Sequence, residues 1–304
     1  MRIKELVKRS IQSRTLLQDI IGFGLIKIGF ADKYLSGLVT MYKSYDWLRK
    51  QFRNEINISD YENIEQLKIE SEKVWICWFQ GLENAPHIVK QCVESARYWM
   101  PDKEIVIITA ENMKQYVDFP DHIIDKWKKG YISNTHLSDL LRLELLIRHG
   151  GLWLDATTYF TGKVPGYIMN HDFFVYRNGW MNQEMINMGS WLMYSKKTNN
   201  PILILTRDLL YKYWDKYDYL KNYFLMHMFF RMASDELPVE WEAVPMINHF
   251  DCHLLMNELE KDFNYERVKE IVSISSIHKL TYKFKDALKE NSTANHLGSI
   301  FMIN

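Results

Sequence analysis

The sequence lacks the marks of several large protein classes. It has no surplus of either charge: Lys and Arg together number 38, and so do Asp and Glu. A dedicated nucleic-acid binder normally carries a basic excess, so no nucleic-acid partner is expected. Cysteine is scarce. Cys77, Cys92 and Cys252 lie too far apart for a zinc-ligand spacing, and suit a reducing cytoplasm where buried thiols behave as small hydrophobes. No apolar run reaches the ~20 residues a spanning helix needs. The run Ile20 to Phe30 is short, and Lys27 interrupts it. A secretory signal is not expected either, because the charges are many, the apolar core is broken and no clear small-residue cleavage site follows. Neither a Gly-x-Gly-x-x-Gly fingerprint nor a Walker loop is present, which argues against a dinucleotide dehydrogenase or a P-loop enzyme. His249 and His253 lie four apart, but no Glu follows the first. They read as core or helix-surface histidines, since a metal pair needs further ligands.

What the chain does have is 304 residues, enough for a real core, and an aromatic share of 14% that serves mainly to fill it. Charge is distributed unevenly. Residues 1 to 53 hold eleven basic and four acidic residues, a surplus of seven that the remainder offsets. Ile3, Leu6, Val7 and Ile11, then Leu16, Leu17, Ile20 and Ile21, give apolar helical faces among those cations. Such an element can lie on an anionic membrane surface or pack as a helical hairpin on the body of the protein. Residues 54 to 72 are polar and acidic and read as a linker. The expected organisation is therefore residues 1–70 as a basic amphipathic helical segment with linker, and residues 71–304 as one catalytic-type domain.

From Val74 the pattern alternates. Val74 to Phe79 is a buried strand, Ile88, Val89, Cys92, Val93 and Ala96 mark a helix, and Ile105 to Ile108 a second strand. Asn112 can cap a further short helix. Later, Phe173 to Tyr176 reads as a strand and residues 201 to 232 as helical. Strand–helix alternation implies an α/β fold with a mostly parallel sheet.

The organising stretch is Ser133 to Thr158. Leu137, Leu140, Leu141 and Leu145 recur at helical spacing behind polar N-cap candidates, with Arg148 and His149 suited to the helix C-terminus. Gly150 and Gly151 stop the helix, and Leu152, Trp153 and Leu154 form a strand that ends on Asp155. Ligands of open α/β sheets bind beyond the carboxyl ends of strands. A carboxylate there can hold a metal or a sugar hydroxyl, although a lone Asp after a strand more often starts a turn.

Ser138-Asp139-x-x-Arg142 followed by Gly150-Gly151-x-x-x-Asp155 resembles the nucleotide-sugar signature of family 32 glycosyltransferases and of clostridial toxin glucosyltransferase domains. It is most similar to bacterial capsular polysaccharide synthesis glycosyltransferases, in which the Asp-x-Asp of the wider family often reads Asp-Ala-Thr, as at Asp155, Ala156 and Thr157. The resemblance covers Lys73 to Lys163, with weaker echoes to Lys283. It implies a GT-A-like, Rossmann-type nucleotide-sugar fold and a retaining hexosyltransferase using a UDP-sugar. The acceptor implied is a lipid-linked saccharide at the cytoplasmic face of the membrane, in capsule or exopolysaccharide assembly.

The resemblance also implies site roles. Trp78 would stack on the base and Gln80 would make a polar contact. Ser138, Asp139 and Arg142 would meet the ribose and donor sugar, and Asn187 would lie near that sugar. Asp155, with Asp139 and Arg142, would be central to catalysis. In His278-Lys279-Leu280-Thr281-Tyr282-Lys283, His278 would join Asp155 on a Mn²⁺ or Mg²⁺ ion and Lys283 would pair with a phosphate, because charge develops on the leaving diphosphate. Thr157 stands where an acid is expected, and a neutral hydroxyl is a poor ligand for a hard cation. Lys279 and Lys283 are the alternative source of neutralising charge. The rival reading is a non-catalytic nucleotide-sugar-binding or membrane scaffold protein.

Overall fold

A computed structural model describes residues 7, 10, 11, 13–30, 32–68, 73–178 and 184–302. The apolar Ile3 and Leu6, and the cations Arg2, Lys4, Lys8 and Arg9 of the basic surplus, lie outside these residues.

Among the described residues, seven strands and eight of the helices position the site. Strand β1 (Lys73–Cys77) leads through α3 (His87–Trp99) to β2 (Glu104–Ile108). Helices α4 (Asp121–Lys128) and α5 (Asn134–His149) then lead to β3 (Gly151–Leu154), β4 (Thr158–Phe160), β5 (Phe173–Arg177) and β6 (Met188–Ser195). Helices α6 (Pro201–Lys216), α7 (Leu225–Glu236) and α8 (Tyr265–Ile274) precede β7 (Ile277–Lys279). Two helices, α1 (Leu16–Lys27) and α2 (Lys33–Phe52), come before them all.

The main sheet has the order β2-β1-β3-β6-β5. β1 is parallel to both β2 and β3, while β6 runs antiparallel to β3 and to β5. Only β6 opposes the common direction, so the sheet is mixed but mostly parallel. Strand alternation divides the core into two layers. Trp75, Trp153, Val175 and Met193 pack with the leucines of α5 and the aromatic residues of α6 and α7. Val74, Ile76, Leu152, Leu154 and Phe174 pack with Val93 and Ala96 of α3. A separate two-stranded ladder pairs β4 with β7, Thr158 opposite Lys279 and Tyr159 opposite His278.

Of the two readings of the N-terminal segment, packing on the body is met at its C-terminal part: Tyr45, Leu48, Phe52 and Tyr61 are buried in the same core as Trp75 and Phe229. Polar composition between 54 and 72 concealed that anchoring. The helical stretch expected over 201 to 232 is interrupted between α6 and α7. Tyr213 Oη donates to Tyr219 O at 2.7 Å and accepts from Lys221 N at 3.0 Å, which holds the intervening chain as a turn. The aromatic residues there continue the apolar pattern, so nothing in the pattern marks the break.

Candidate active site

The strand ends of β1 and β3 open into a cavity of about 410 Å³, within the usual range of small-ligand sites. Its charged lining is Asp139, Arg142, Asp155, Lys279 and Lys283, with Trp78, Tyr223 and Tyr282 supplying rings.

Helix α5 delivers the first pair. Ser133 caps it, its Oγ accepting from His136 N. The i, i+3 spacing puts Asp139 and Arg142 on one face, and both are buried. Asp139 Oδ1 lies 3.1 Å from Arg142 Nη2, and Oδ2 lies 3.3 Å from His136 Nδ1. Burial alone would raise the Asp139 carboxyl pKa, but the Arg142 charge and the His136 hydrogen bond outweigh it and hold it below its ordinary value. Arg142 also donates to the carbonyl of Ser190 at 2.6 Å and to that of Ser138 at 3.3 Å, and its guanidinium lies 5.0 Å from the Trp153 ring centre. The ordinary surface ion pair that this spacing permits is thus excluded: the pair is interior and bound into β6.

Gly150 makes the next step possible. Its φ is +62°, and a Cβ there would meet the Ser195 carbonyl oxygen at 2.9 Å. The chain can therefore leave α5 and enter β3 beside β6 without a connecting loop. Asp155 follows at the end of β3, where its amide donates to Trp191 O at 2.8 Å and Thr158 N closes a turn back onto Asp155 O. Its Oδ1 accepts from Trp153 Nε1 at 3.2 Å and lies 3.5 Å from Arg142 Nη2. Its Oδ2 lies 3.6 Å from Lys279 Nζ.

The β4–β7 ladder closes the cavity from the far end of the chain. Lys279 Nζ donates to Thr157 Oγ1 at 2.5 Å, and Leu280 N donates to Thr157 O at 2.8 Å. Beyond it, Tyr282 sets its ring edge to face with Trp78, centroids 5.3 Å apart. Trp78 Nε1 is buried with no hydrogen-bond partner among the described residues. Lys283 stands exposed at the lip.

The sequence model of the capsular polysaccharide synthesis protein family matches residues 30–297, most of the chain. The chain belongs to this family. An O-glycosyltransferase of Annulohypoxylon truncatum, BraB, is 32% identical over 108 residues, covering 33% of this chain and 26% of that protein. The family member described here thus spans about a quarter of the length of that curated relative. The solved structure of PaToxG glycosyltransferase aligns over 87% of this chain and 96% of its own, with 18% identity and a TM-score of 0.38.

Not every residue expected at the site reaches it. Trp78, Ser138, Asp139, Arg142, Asp155 and Lys283 line the cavity of this family member. Gln80 does not: it is exposed in the turn after β1, with its carbonyl accepting from Asn84 Nδ2. Asn187 is buried just before β6, donating to Ser234 Oγ of α7 at 2.8 Å. His278 is wholly buried. Strand alternation turns it away from Lys279 and against Tyr159, with its Nε2 2.9 Å from Thr161 Oγ1. Burial pushes its pKa down to about 3. It cannot serve as a metal ligand beside Asp155, because one strand position reverses the face.

These residues do not fit a divalent metal. Among the described residues no group of three His, Cys, Asp or Glu converges. More decisively, both carboxylate oxygens of Asp155 face cations, and Lys279 holds the Thr157 hydroxyl where the wider family would place an acid. Two charges of like sign 4 Å apart repel by about 4 kcal/mol per unit pair at an effective dielectric of 20.

Tyr223 and His227 also line the cavity. Burial, with the Arg142 charge adding, lowers the His227 pKa to about 4 against the opposing pull of Asp139 and Asp155. Neither residue carried a sequence signal, since both come from the turn and helix after α6 and only tertiary packing brings them to α5.

Proposed function

We propose that this chain is a glycosyltransferase that moves a hexose from a UDP-sugar to a lipid-linked saccharide, with retention of configuration, in capsular or exopolysaccharide assembly. One observation carries the reading: Arg142, Asp139, Asp155, Lys279 and Lys283 converge with the Trp78–Tyr282 ring pair in one cavity at the strand ends. Rings suit a nucleobase, cations suit a diphosphate, and carboxylates suit sugar hydroxyls. Family membership and the O-glycosyltransferase named among the relatives support the same chemistry. Trp78 serves the base, while Asp139 and Arg142 serve the ribose and sugar.

The acceptor side rests on the N-terminal hairpin. Leu17, Ile20, Ile21 and Phe23 of α1, Ile28 and Phe30 in the turn, and Tyr34, Leu35, Val39 and Tyr42 of α2 are all exposed. Lys27, Lys33 and Lys43 flank them. No described helix is long and apolar enough to cross a membrane. The exposed apolar residues among these cations suit peripheral contact with the cytoplasmic leaflet. The chain leading into the hairpin is tied to the segment that carries the cavity-lining Tyr223: Lys221, two residues before Tyr223, donates its Nζ to Ser13 O at 3.2 Å. A lipid-borne acceptor would then be presented at the cavity mouth.

Release of UDP from a panel of UDP-hexoses by the purified chain tests the reading. Release from one donor, accelerated by membrane-derived acceptor, is expected. Binding of UDP-sugars with no release from any would favour the scaffold alternative, whose motive is the neutral Thr157.

A further inference from the structure

The charge around Asp155 is the reverse of what a diphosphate-bound metal requires. Three cations, Arg142, Lys279 and Lys283, line the cavity with two carboxylates, Asp139 and Asp155. A divalent site needs carboxylate or carbonyl oxygens left open to it. Here Arg142 already binds Asp139, Asp155 and two main-chain carbonyls. Lys279 is held differently. Its Nζ contacts the Thr157 hydroxyl at 2.5 Å and the Leu280 carbonyl at 3.4 Å, both neutral, and it pairs with one carboxylate, Asp155 Oδ2 at 3.6 Å, where Arg142 pairs with two. An ammonium has three protons to donate and keeps its full charge against neutral acceptors. Its position is fixed by the ladder, in which Thr158 pairs with Lys279 and Leu280 N bonds Thr157 O.

We propose that Lys279 neutralises the donor diphosphate in place of a divalent cation, with Lys283 assisting from the lip, so that transfer needs no metal. The proposal rests on the UDP-sugar reading above. In the transfer, the bond between the sugar C1 and the β-phosphate oxygen breaks, and its electron pair stays on that oxygen. The acceptor hydroxyl oxygen bonds C1, and its proton passes to the departing phosphate oxygen. Lys279 stabilises the charge that builds on that oxygen before the proton arrives. Thr157 then has a positive role: a neutral hydroxyl orients the ammonium, whereas an acid there would quench it.

Calorimetric titration of the full chain with UDP and with uridine tests this, in EDTA and again with Mn²⁺. UDP is expected to bind with the same affinity in both. Lys279→Met should weaken UDP by at least about tenfold, since a charge-assisted contact is lost, and leave uridine unchanged, while Lys279→Arg should recover part of the loss. UDP binding in the wild type that disappears in EDTA and returns with Mn²⁺ would overturn the proposal while leaving the donor reading intact. So would full UDP affinity in Lys279→Met. Failure of both UDP and uridine to bind the wild type would remove the donor reading, and the proposal with it.

Discussion

Arg142 joins more of the site than any other side chain, and its removal separates structural from chemical effects. It sits between Asp139, Asp155, the Ser138 and Ser190 carbonyls and the Trp153 ring. Arg142→Ala would leave the Asp139 carboxylate buried without its counter-charge, at a cost of roughly 3–5 kcal/mol. Denaturant unfolding should show that loss together with abolished UDP release. A milder change, Asp139→Asn, should keep the fold and weaken UDP-sugar binding; unchanged binding with a large stability loss would reduce the pair to a purely structural one.

Histidines with depressed pKa values, among them the buried His278 and the half-buried His227, set the acid limit. His278 and His227 are held near 3 and 4 in the fold by burial, against about 6.5 when unfolded. Above pH 6.5 neither group affects stability. As pH falls below it, the unfolded chain takes up protons that the fold refuses, and each histidine lowers stability by up to about 1.4 kcal/mol per pH unit until its folded pKa is reached. Asp139 acts lower still. Its folded pKa is depressed, so its stabilisation is present above about pH 4 and lost as pH falls further. His278→Gln should therefore flatten the stability profile between pH 6.5 and about 3 while leaving UDP affinity alone. An unchanged slope would show that His278 is protonated in the fold, and lost UDP affinity would restore it to the site.

At the scale of elements, the junction of α5 with β3 and the α1–α2 hairpin do different work. Gly150 combines φ +62° with ψ −158° and close approach to Ser195 O. That backbone region is essentially closed to side chains, and occupying it costs about 1–3 kcal/mol. Gly150→Ala should lower the melting temperature and, by shifting β3 against β6, disturb both Asp155 and the Arg142–Ser190 bond, so that UDP release falls as well. Normal release in a destabilised variant would show the site to be insulated from the junction. The hairpin is built for approach rather than burial. Gly22 is the one buried residue of α1, and a Cβ there would meet Ser36 Oγ at 2.0 Å, so the two helices cross closely there, with the apolar residues of α1 and of the first half of α2 largely exposed while Tyr45, Leu48 and Phe52 at the end of α2 are buried. Replacing Ile20, Ile21 and Phe23 together by Glu should leave the melting temperature unchanged, because all three are exposed. Sedimentation with anionic vesicles should drop by well over tenfold, since each apolar side chain buried in lipid is worth roughly 1.5–3 kcal/mol, and salt should weaken what binding remains. Equal sedimentation by both proteins would end the membrane reading.

For the whole molecule, the site is assembled from segments distant in sequence: the end of β1, helix α5, the end of β3, the turn before α7, and the strand and loop after α8. A ligand that ties them together should stabilise the fold globally. UDP at a hundredfold excess over its dissociation constant should add about 2.7 kcal/mol, seen as a rise of several degrees in melting temperature. Uridine, which lacks the phosphates that Lys279 and Lys283 would hold, should need a higher concentration for the same rise. Equal midpoints for the two would argue against a phosphate site on the late loop.

The stretch from Ser133 to Asp155 was legible because its determinants are local. A capped helix, two glycines, a short apolar strand and a terminal carboxylate are each written in neighbouring residues, and the strand–helix alternation before them fixed the layering of the sheet. The basic, apolar character of the N-terminus was equally local. Its anchoring was not, since Leu48 and Phe52 owe their burial to Tyr213 and Phe229, far along the chain. The same limit applied at His278 and Lys279. Both have side chains apt for a phosphate site, and composition cannot choose between them. The pairing of β7 with β4 chose, because adjacent residues on a strand face opposite ways, and the ladder set Lys279 against Thr157 while sending His278 into the core.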